Sequence, residues 1–278
     1  MNSEKGREKV FFKYHGTGND FILLDARDGS WVDPQDYELI KHLCERCFGV
    51  GADGLMFLET SEEADFHMRY YNADGRPSSM CGNGGRCVVA FAKWLSIFTG
   101  KHCRFTASDG LHQAEILKDG RIALEMADVS VCRSLGEQQY FLDTGSPHHV
   151  CFVDDPNAVD VLERGRAIRY ADPYLKNGVN VNFVKFLPEE KRLRVRTYER
   201  GVEAETYSCG TGVTASVLAY WLKKGGMEGR HRVEVSTPGG VLEVHFNYTA
   251  SEGFRQIALV GPVQKVFRGE YMLEVETK

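Results

Sequence analysis

Two segments of the chain share one order of elements, and this internal repeat constrains the fold more than any other feature of the sequence. Each segment has a strand pattern, a turn, a Cys-Gly-x-Gly motif and a long apolar stretch; the segments are residues 66–95 and 193–222. The motif cysteines are Cys81 and Cys209, 128 residues apart. The repeat therefore predicts two similar lobes, each with its own buried helix.

The apolar stretches that follow the two motifs are predicted to form helices over 83–98 and 212–224. Both are apolar on most faces, which is typical of a helix that is buried on all sides. A further helix is predicted over 34–47, with Pro34 in its first turn and apolar residues at helical spacing. Short alternating segments around these helices predict strands and hairpins.

The predicted fold class is α+β, with two pseudo-symmetric lobes, each a mixed or antiparallel sheet wrapped around a central helix. The chain shows no linker-like or low-complexity stretch, so we expect closely apposed lobes with the functional site between them. The first lobe is predicted to comprise residues 1–127 together with 265–278, and the second lobe residues 128–264.

Charge and composition argue against several classes of function. A net charge of −5 and a pI near 6.0 give no reason to expect nucleic acid or an anionic membrane as a partner. No apolar run approaches the ~20 residues that span a bilayer, and the polar N-terminus does not resemble a secretory signal. We therefore predict a cytoplasmic protein. Most of its eight cysteines are expected to be reduced, because a chain of 278 residues needs no disulfide framework.

A cysteine at the start of a helix is suited to acid–base chemistry. The helix N-terminus stabilises an adjacent anion by up to ~2 kcal/mol, and one pKa unit corresponds to about 1.4 kcal/mol. This effect favours the thiolate, which is the reactive form of cysteine. Two such helix starts that share one ligand would hold a carboxylate with their N–H groups. One thiolate could then remove a proton from the neighbouring carbon while the opposite thiol returned one, which inverts that carbon.

The alternative to a catalytic pair is a structural one, in which Cys81 and Cys209 are small residues at the ends of two core helices. Packing alone gives no reason to place cysteine at both ends, so the duplication favours the catalytic interpretation. A redox pair of Cys81 with Cys87 is disfavoured, because Cys87 falls inside the predicted helix. Cys44 and Cys47 have a zinc-like spacing, but no second pair completes four ligands.

The sequence resembles the diaminopimelate epimerase family. The resemblance is carried, in the right order over nearly the whole chain, by HGTGNDF, GADG, YNADG, MCGNGGRC, YERGVEAET and YSCGTG. It implies interconversion of L,L- and meso-diaminopimelate without pyridoxal phosphate, another cofactor or a metal, on the route to lysine and peptidoglycan. The expected partner is a small amino-acid substrate, and the sequence leaves a homodimer open.

The resemblance also implies roles for individual residues. Cys81 and Cys209 would be the proton-transfer pair, and His148 and Glu199 would tune the thiols. The residues implied to bind substrate are Asn19, Asn72, Gly82, Asn83, Asn180, Glu199, Arg200, Gly210 and Thr211. Of these, Gly82, Asn83, Gly210 and Thr211 would hold the reacting carboxylate, and the others the amino and distal groups.

One position departs from the family pattern. The family has Gly-Asn-Pro-His where this chain has Gly145-Ser146-Pro147-His148. Because serine is shorter than asparagine, we expect a distal contact from Ser146 to be lost or bridged by water.

Three other functions are compatible with parts of the sequence. The first is a racemase of another amino acid, such as histidine or proline, although Asn83 differs from the histidine usual after Met-Cys-Gly in proline racemase relatives. The second is a non-catalytic amino-acid binding protein, which would have no use for two thiols. The third is a redox switch, which would require Cys81 and Cys209 to cross-link.

Overall fold

The computed structural model describes residues 9–272, so the predictions that concern residues 1–8 and 273–278 lie outside these residues. The described chain forms two compact units. The first comprises residues 9–16, 20–113 and 263–272, and the second comprises 17–19 and 114–262. Within the described residues, no helix is both long and apolar enough to cross a membrane.

The first unit combines a sheet with two helices. Its elements are β1 Val10–Gly16, β2 Asn19–Asp25, α1 Tyr37–Cys44, β3 Gly54–Glu59, β4 Phe66–Asn72, β5 Pro77–Ser78, α2 Gly82–Trp94, β6 His102–Ala107, β7 Gly110–Ile116 and β18 Gln264–Glu270. The last three residues of β7 already belong to the second unit. Strand β1 pairs with β2 and, antiparallel, with β18. Strand β2 runs parallel to β3, β3 antiparallel to β4, and β4 parallel to β6.

The second unit repeats this arrangement. Its elements are β8 Ile122–Glu125, β9 Cys132–Gly136, β10 Gln139–Asp143, β11 Pro147–Phe152, a 3₁₀ turn Pro156–Ala158, α3 Val161–Arg169, β12 Asn180–Leu187, β13 Arg192–Glu199, β14 Ala204–Thr206, α4 Gly210–Lys223, β15 Gly229–Thr237, β16 Gly240–Thr249 and β17 Gly253–Gly261. Strand β11 runs parallel to β12, β12 antiparallel to β13, and β13 parallel to β15.

The same sequence of pairings therefore occurs twice. Each copy begins with two parallel strands joined by a helix, followed by a strand that is antiparallel to the second of them. A short strand, the cysteine motif and a long helix come next, and the copy ends with a strand that runs parallel to the antiparallel one. A parallel pair needs a crossover connection, and α1, α2, α3 and α4 supply the four crossovers. The mixed sheets and helices form the predicted α+β architecture.

The two long helices are buried as their composition predicts. In α2 every residue from Gly82 to Val89 is buried, and in α4 nearly every residue from Gly210 to Ala219. Helix α2 packs on β1 and β3, and α4 packs on the sheet strands of the second unit from β10 to β13 and from β15 to β17. Each helix is thus a central element of its own unit.

The predicted helix ends needed correction. Helix α1 begins only after Asp36, whose side chain accepts the N–H of Leu39 (3.0 Å), so Pro34 lies outside it; α1 ends at Cys44 rather than residue 47. Helix α2 ends at Trp94 rather than 98, because Ser96 adopts a positive φ of 58° that a helix cannot continue. Helix α4 begins at Gly210, two residues before the predicted start.

The unit bounds differ from the predicted lobe bounds chiefly in residues 114–127, and also at residues 17–19 and 263–264. The sequence prediction assigned segment 114–127 to the first lobe, whereas the structure groups it with the second unit. The physical reason is strand pairing, since β8 pairs antiparallel with β17, an element of the second unit. Nothing in the local sequence of β8 indicates that partner.

Candidate active site

Both motif cysteines occupy the N-cap position of a long helix, as predicted. Cys81 precedes α2 with an extended backbone (φ −107°, ψ 130°), and Cys209 precedes α4 with nearly the same conformation (φ −109°, ψ 110°). The first turn of a helix presents backbone N–H groups that have no partner inside the helix. Each sulfur is therefore attached beside a cluster of N–H dipoles that favours negative charge.

The start of α2 carries a buried cation. Arg86 is fully buried, and its guanidinium donates to the Asn83 side-chain oxygen (2.9 Å) and to the Gly82 carbonyl (3.2 Å). Burial lowers the pKa of Arg86 to about 10, and the electrostatic influence of the neighbouring Cys87 and Cys81 acts in the opposite direction. Arg86 therefore stays charged at neutral pH, fixes the Asn83 side chain and favours an anion at Cys81.

The start of α4 is surrounded instead by neutral polar side chains. Thr211 Oγ1 lies 3.5 Å from Cys209 Sγ and 2.9 Å from Nε2 of His148. Ser146 Oγ lies 3.1 Å from both His148 Nε2 and Thr211 Oγ1. Thr144 donates to the Thr211 carbonyl (2.9 Å), which ties the first turn of the helix to the adjacent loop. A hydrogen-bonded chain thus connects His148 with the sulfur of Cys209.

His148 is held neutral by its surroundings. It is fully buried, and burial, assisted by the positive charge of Arg200, lowers its pKa to about 3. An imidazole with this pKa does not take up a proton at neutral pH, so it acts as a hydrogen-bonding group rather than a cation.

Asn180 and Arg200 lie next to this chain of contacts. Asn180 is buried, donates to Ser146 Oγ (3.2 Å) and to the Pro147 carbonyl (3.2 Å), and accepts the backbone N–H of Arg200 (2.9 Å). The Arg200 guanidinium donates to the Asn177 carbonyl (2.9 Å). The structure therefore brings Ser146, His148, Asn180, Arg200 and Thr211 into one continuous network.

The remaining predicted binding residues lie at strand ends. Glu199 ends β13 and accepts the hydroxyl of Thr206 (2.9 Å). Asn72 is exposed and ends β4, where a turn begins. The backbone N–H of Gly75 closes this turn by donating to the Asn72 carbonyl (2.9 Å). Asn19 begins β2, half-buried, and belongs to the second unit, whereas the rest of β2 belongs to the first.

The six other cysteines lack the helix-cap setting. None of the eight cysteines forms a disulfide bond, and all eight lie in the described part of the chain. Burial raises the pKa of Cys87, which lies inside α2, and raises that of Cys44 to about 12, so neither ionises readily. Cys47 is exposed and lies beyond the end of α1. Across residues 9–272, no group of three or more His, Cys, Asp or Glu side chains is arranged to hold a metal ion.

Three residues around the starts of α2 and α4 were not identified from the sequence. Asn182 contacts His148, and Thr197 contacts Asn182 on the neighbouring strand. Arg86 lies beneath the first cysteine motif and donates to the Gly82 carbonyl. A signal for Asn182 existed, because it sits two residues after Asn180, between the apolar residues Val181 and Phe183 of one strand, and so shares the face of Asn180. A buried arginine is rare without a partner, but nothing in the sequence indicated that Arg86 would be buried.

Comparison with known proteins gives the family. The family model described as diaminopimelate epimerase matches residues 11–132 and 140–266. A diaminopimelate epimerase of Flavobacterium psychrophilum is 48% identical over 92% of this chain and 97% of its own length. A diaminopimelate epimerase of Chlorobaculum tepidum is 42% identical over 93% of this chain and 99% of its own length.

Solved structures show the same fold at low sequence identity. A phenazine biosynthesis protein of the PhzF family from Bacillus anthracis superposes with a TM-score of 0.76 at 16% identity, covering 96% of this chain and 100% of that one. A hydroxyproline epimerase from Agrobacterium vitis superposes with a TM-score of 0.69 at 14% identity, covering 99% and 95%. These likenesses confirm the predicted fold class.

Together the matches define an isomerase of the epimerase class. The chain belongs to the diaminopimelate epimerase family, which confirms the resemblance found in the sequence.

Proposed function

We propose that this enzyme interconverts L,L- and meso-diaminopimelate, with Cys81 and Cys209 as its acid–base pair. The observation that carries the proposal is the repeated placement of the two thiols. Each is the N-cap of a buried helix, at the same point in two copies of one strand order. The relatives named diaminopimelate epimerase, which match over more than nine-tenths of the chain, support the choice of substrate.

In the proposed reaction the thiolate of one cysteine takes the α-hydrogen as a proton. The electron pair of the broken C–H bond stays on the α-carbon and spreads into the adjacent carboxylate. The thiol of the other cysteine delivers its proton to the opposite face of that carbon. The product has inverted configuration, and the two sulfurs have exchanged their protonation states. Two thiolates at one site would repel each other, so the pair titrates as a unit with one proton.

The helix starts supply the electrostatic part of catalysis. First-turn N–H groups of α2 and α4, from Gly82, Asn83, Gly210 and Thr211, would hold the reacting carboxylate. Fixed dipoles of this kind stabilise charge that develops in the transition state, so the proposal requires neither a cofactor nor a metal. The cation of Arg86 and the chain from His148 through Thr211 would each favour a thiolate at the neighbouring cysteine.

The far end of the substrate would meet the polar residues at the strand ends. Arg200 suits a distal carboxylate because guanidinium binds carboxylate through paired hydrogen bonds, and Glu199 suits an ammonium group. Asn19, Asn72 and Asn180 would complete these contacts. The product would enter lysine and peptidoglycan precursor synthesis in the cytoplasm, and the small amino acid is the only partner that the mechanism needs.

The test is incubation of the purified protein with L,L-diaminopimelate in D₂O without added cofactor, followed by chiral separation and mass measurement. We expect meso product that carries deuterium at the inverted carbon. Cys81→Ala and Cys209→Ala should each lose inversion by at least about 10³-fold, because each removes one of two obligatory proton carriers. Matched controls are Cys47→Ala in the first unit and Cys132→Ala in the second, which should keep wild-type turnover.

The rival functions predict different results. A racemase of another amino acid would leave diaminopimelate unchanged but invert histidine or proline. A binding protein would leave the α-hydrogen unexchanged. Turnover near the wild-type rate in either Cys81→Ala or Cys209→Ala would exclude the two-thiol mechanism.

A further inference from the structure

A second layer of buried polar side chains lies behind His148. Asn182, on β12, is fully buried, and its side-chain nitrogen lies 3.1 Å from Nδ1 of His148. Thr197, directly opposite on β13, donates its hydroxyl to the Asn182 side-chain oxygen (3.0 Å). Neither residue was indicated by the family resemblance in the sequence, and neither lies in the cysteine motif.

The partners of Asn182 determine which way its amide points. Its nitrogen also lies 3.4 Å from the backbone carbonyl of His149, and a carbonyl oxygen can only accept. The nitrogen must therefore face that carbonyl and His148 Nδ1, while the oxygen faces Thr197. In this orientation the amide donates to Nδ1, which must be unprotonated.

The orientation of Asn182 fixes the proton on the other ring nitrogen of His148. Because the ring is neutral, its single proton must be on Nε2, which lies 2.9 Å from Thr211 Oγ1. When Nε2 donates to that oxygen, the Thr211 hydroxyl proton is free to point at Cys209 Sγ, 3.5 Å away. In the opposite tautomer Nε2 would need a donor. Thr211 is the nearer of its two hydroxyl neighbours, since Ser146 Oγ lies 3.1 Å away, and it would turn its proton toward the ring instead of the sulfur.

The first unit shows that the fold does not require this polar layer. By strand register, Phe21 on β2 and Met56 on β3 correspond to His148 and Asn182, since Phe21 pairs with Gly54 as His148 pairs with Asn180. A Cβ added at Gly84 would meet Met56 and Phe21, and one added at Gly212 would meet Asn182 and His148. The same space is apolar in one copy and polar in the other.

We propose that Asn182, oriented by Thr197, is a positioning residue that keeps the His148 proton on Nε2, so that Thr211 presents a hydrogen-bond donor to Cys209. This inference deepens the proposed function and rests on it. It concerns only the second unit, where the donor would stabilise the Cys209 thiolate.

The direct test is the tautomer of His148, read from nitrogen NMR of protein labelled with ¹⁵N-histidine. His148→Gln identifies the His148 signals by their loss. We expect the wild type to show protonated Nε2 and bare Nδ1, and Asn182→Leu, which has similar volume and no donor, to show both tautomers. Wild-type protein with the proton on Nδ1 would overturn the proposal.

Turnover is the second measurement, on the same variants. Asn182→Leu should lower kcat by about 10- to 100-fold, the size seen for residues that orient metal-bound histidines, with little change in KM. Thr197→Val should lower kcat less, because the amide keeps its other partners, and Thr197→Ser should restore it. Ser216→Ala, which removes a buried hydroxyl of α4 outside this network, is the matched control.

The two measurements separate this inference from the proposed function. A wild type that inverts diaminopimelate while Asn182→Leu mixes the tautomers without loss of kcat would overturn the inference alone. A wild type with no inversion would overturn the proposed function, whatever the tautomer. If Asn182→Leu does not fold, Thr197→Val and Thr197→Ser provide the same comparison at the opposite strand, and equal kcat in that pair would overturn the inference.

Discussion

The two helix starts have the same backbone and different surroundings. At the first, a fully buried arginine lies beneath the motif and donates to Asn83 and Gly82. At the second, a neutral histidine reaches the sulfur through Thr211. The cap conformations agree within 2° in φ and 20° in ψ. The fold thus places each thiol at a helix start, while the side chains around the two thiols differ, with a cation at the first and a neutral imidazole at the second.

The difference extends to the packing behind each helix. Phe21 and Met56 fill the space at Gly84, and His148 and Asn182 fill it at Gly212. Because the first unit fills the corresponding space with apolar side chains, the fold itself does not require polar ones there. A buried hydrogen-bonded pair offers no clear stability advantage over an apolar pair of similar shape, which favours a chemical reason for its presence.

The largest effect is expected from giving the second unit the apolar layer of the first. The triple variant His148→Phe, Asn182→Met, Thr197→Val leaves no buried amide or hydroxyl without a partner at these positions. We expect kcat to fall at least about 100-fold, the lower end of the contribution of acid–base groups. The free energy of unfolding should change by no more than about 3 kcal/mol, the usual cost of overpacking. Turnover assays measure kcat, and denaturant titration measures the free energy of unfolding.

The control for the triple variant is a conservative change in the first unit. Met56→Leu in the first unit keeps that layer apolar and should leave kcat unchanged. A triple variant that folds and retains more than about a tenth of wild-type turnover would show that the polar layer is structural.

A smaller effect is expected from alanine at the second glycine of each motif. In Gly212→Ala the new Cβ would overlap the side-chain oxygen of Asn182, which is fixed by Thr197. In Gly84→Ala it would overlap the terminal methyl of Met56, the end of a flexible side chain that can rotate away. Both variants should lose about 1–3 kcal/mol of unfolding free energy, but only Gly212→Ala should also lose kcat by about tenfold or more. Equal losses of kcat in the two variants would contradict the comparison.

Acid stability should also depend on His148. The pKa of His148 is about 3 in the folded protein, below its ordinary value of 6.5, so between these values the unfolded chain binds more protons. The unfolding free energy should therefore fall as pH drops from about 6.5 toward 3, by at most about 1.4 kcal/mol per pH unit from this group. His148→Gln lacks this titration and should show a shallower fall, measured by denaturant titration at each pH.

The exposed His102→Gln serves as the control for that measurement, since it removes a histidine at the surface. At the equivalent position of the first unit, Phe21 cannot titrate. A His148→Gln curve as steep as that of the wild type would show that His148 takes up its proton in the folded protein at ordinary pH.

The sequence by itself predicted the α+β class, the two long buried helices, the cysteine at the start of each, and the family. These features depend on local patterns: apolar periodicity, the glycine-rich motif and its repetition. The family resemblance implied roles for Ser146, His148, Asn180 and Thr211 one by one, but it did not indicate their mutual contacts.

Only the tertiary structure decided what surrounds each motif. The polar layer of Asn182 and Thr197 depends on which residues oppose each other across two strands, and the burial of Arg86 depends on how α2 packs on its sheet. Strand β8 likewise joins the second unit through a partner more than 120 residues away in the chain. Such pairings are set by register between distant segments, because a strand exposes the same alternating pattern to any partner, and the chain's local sequence does not specify which one it meets.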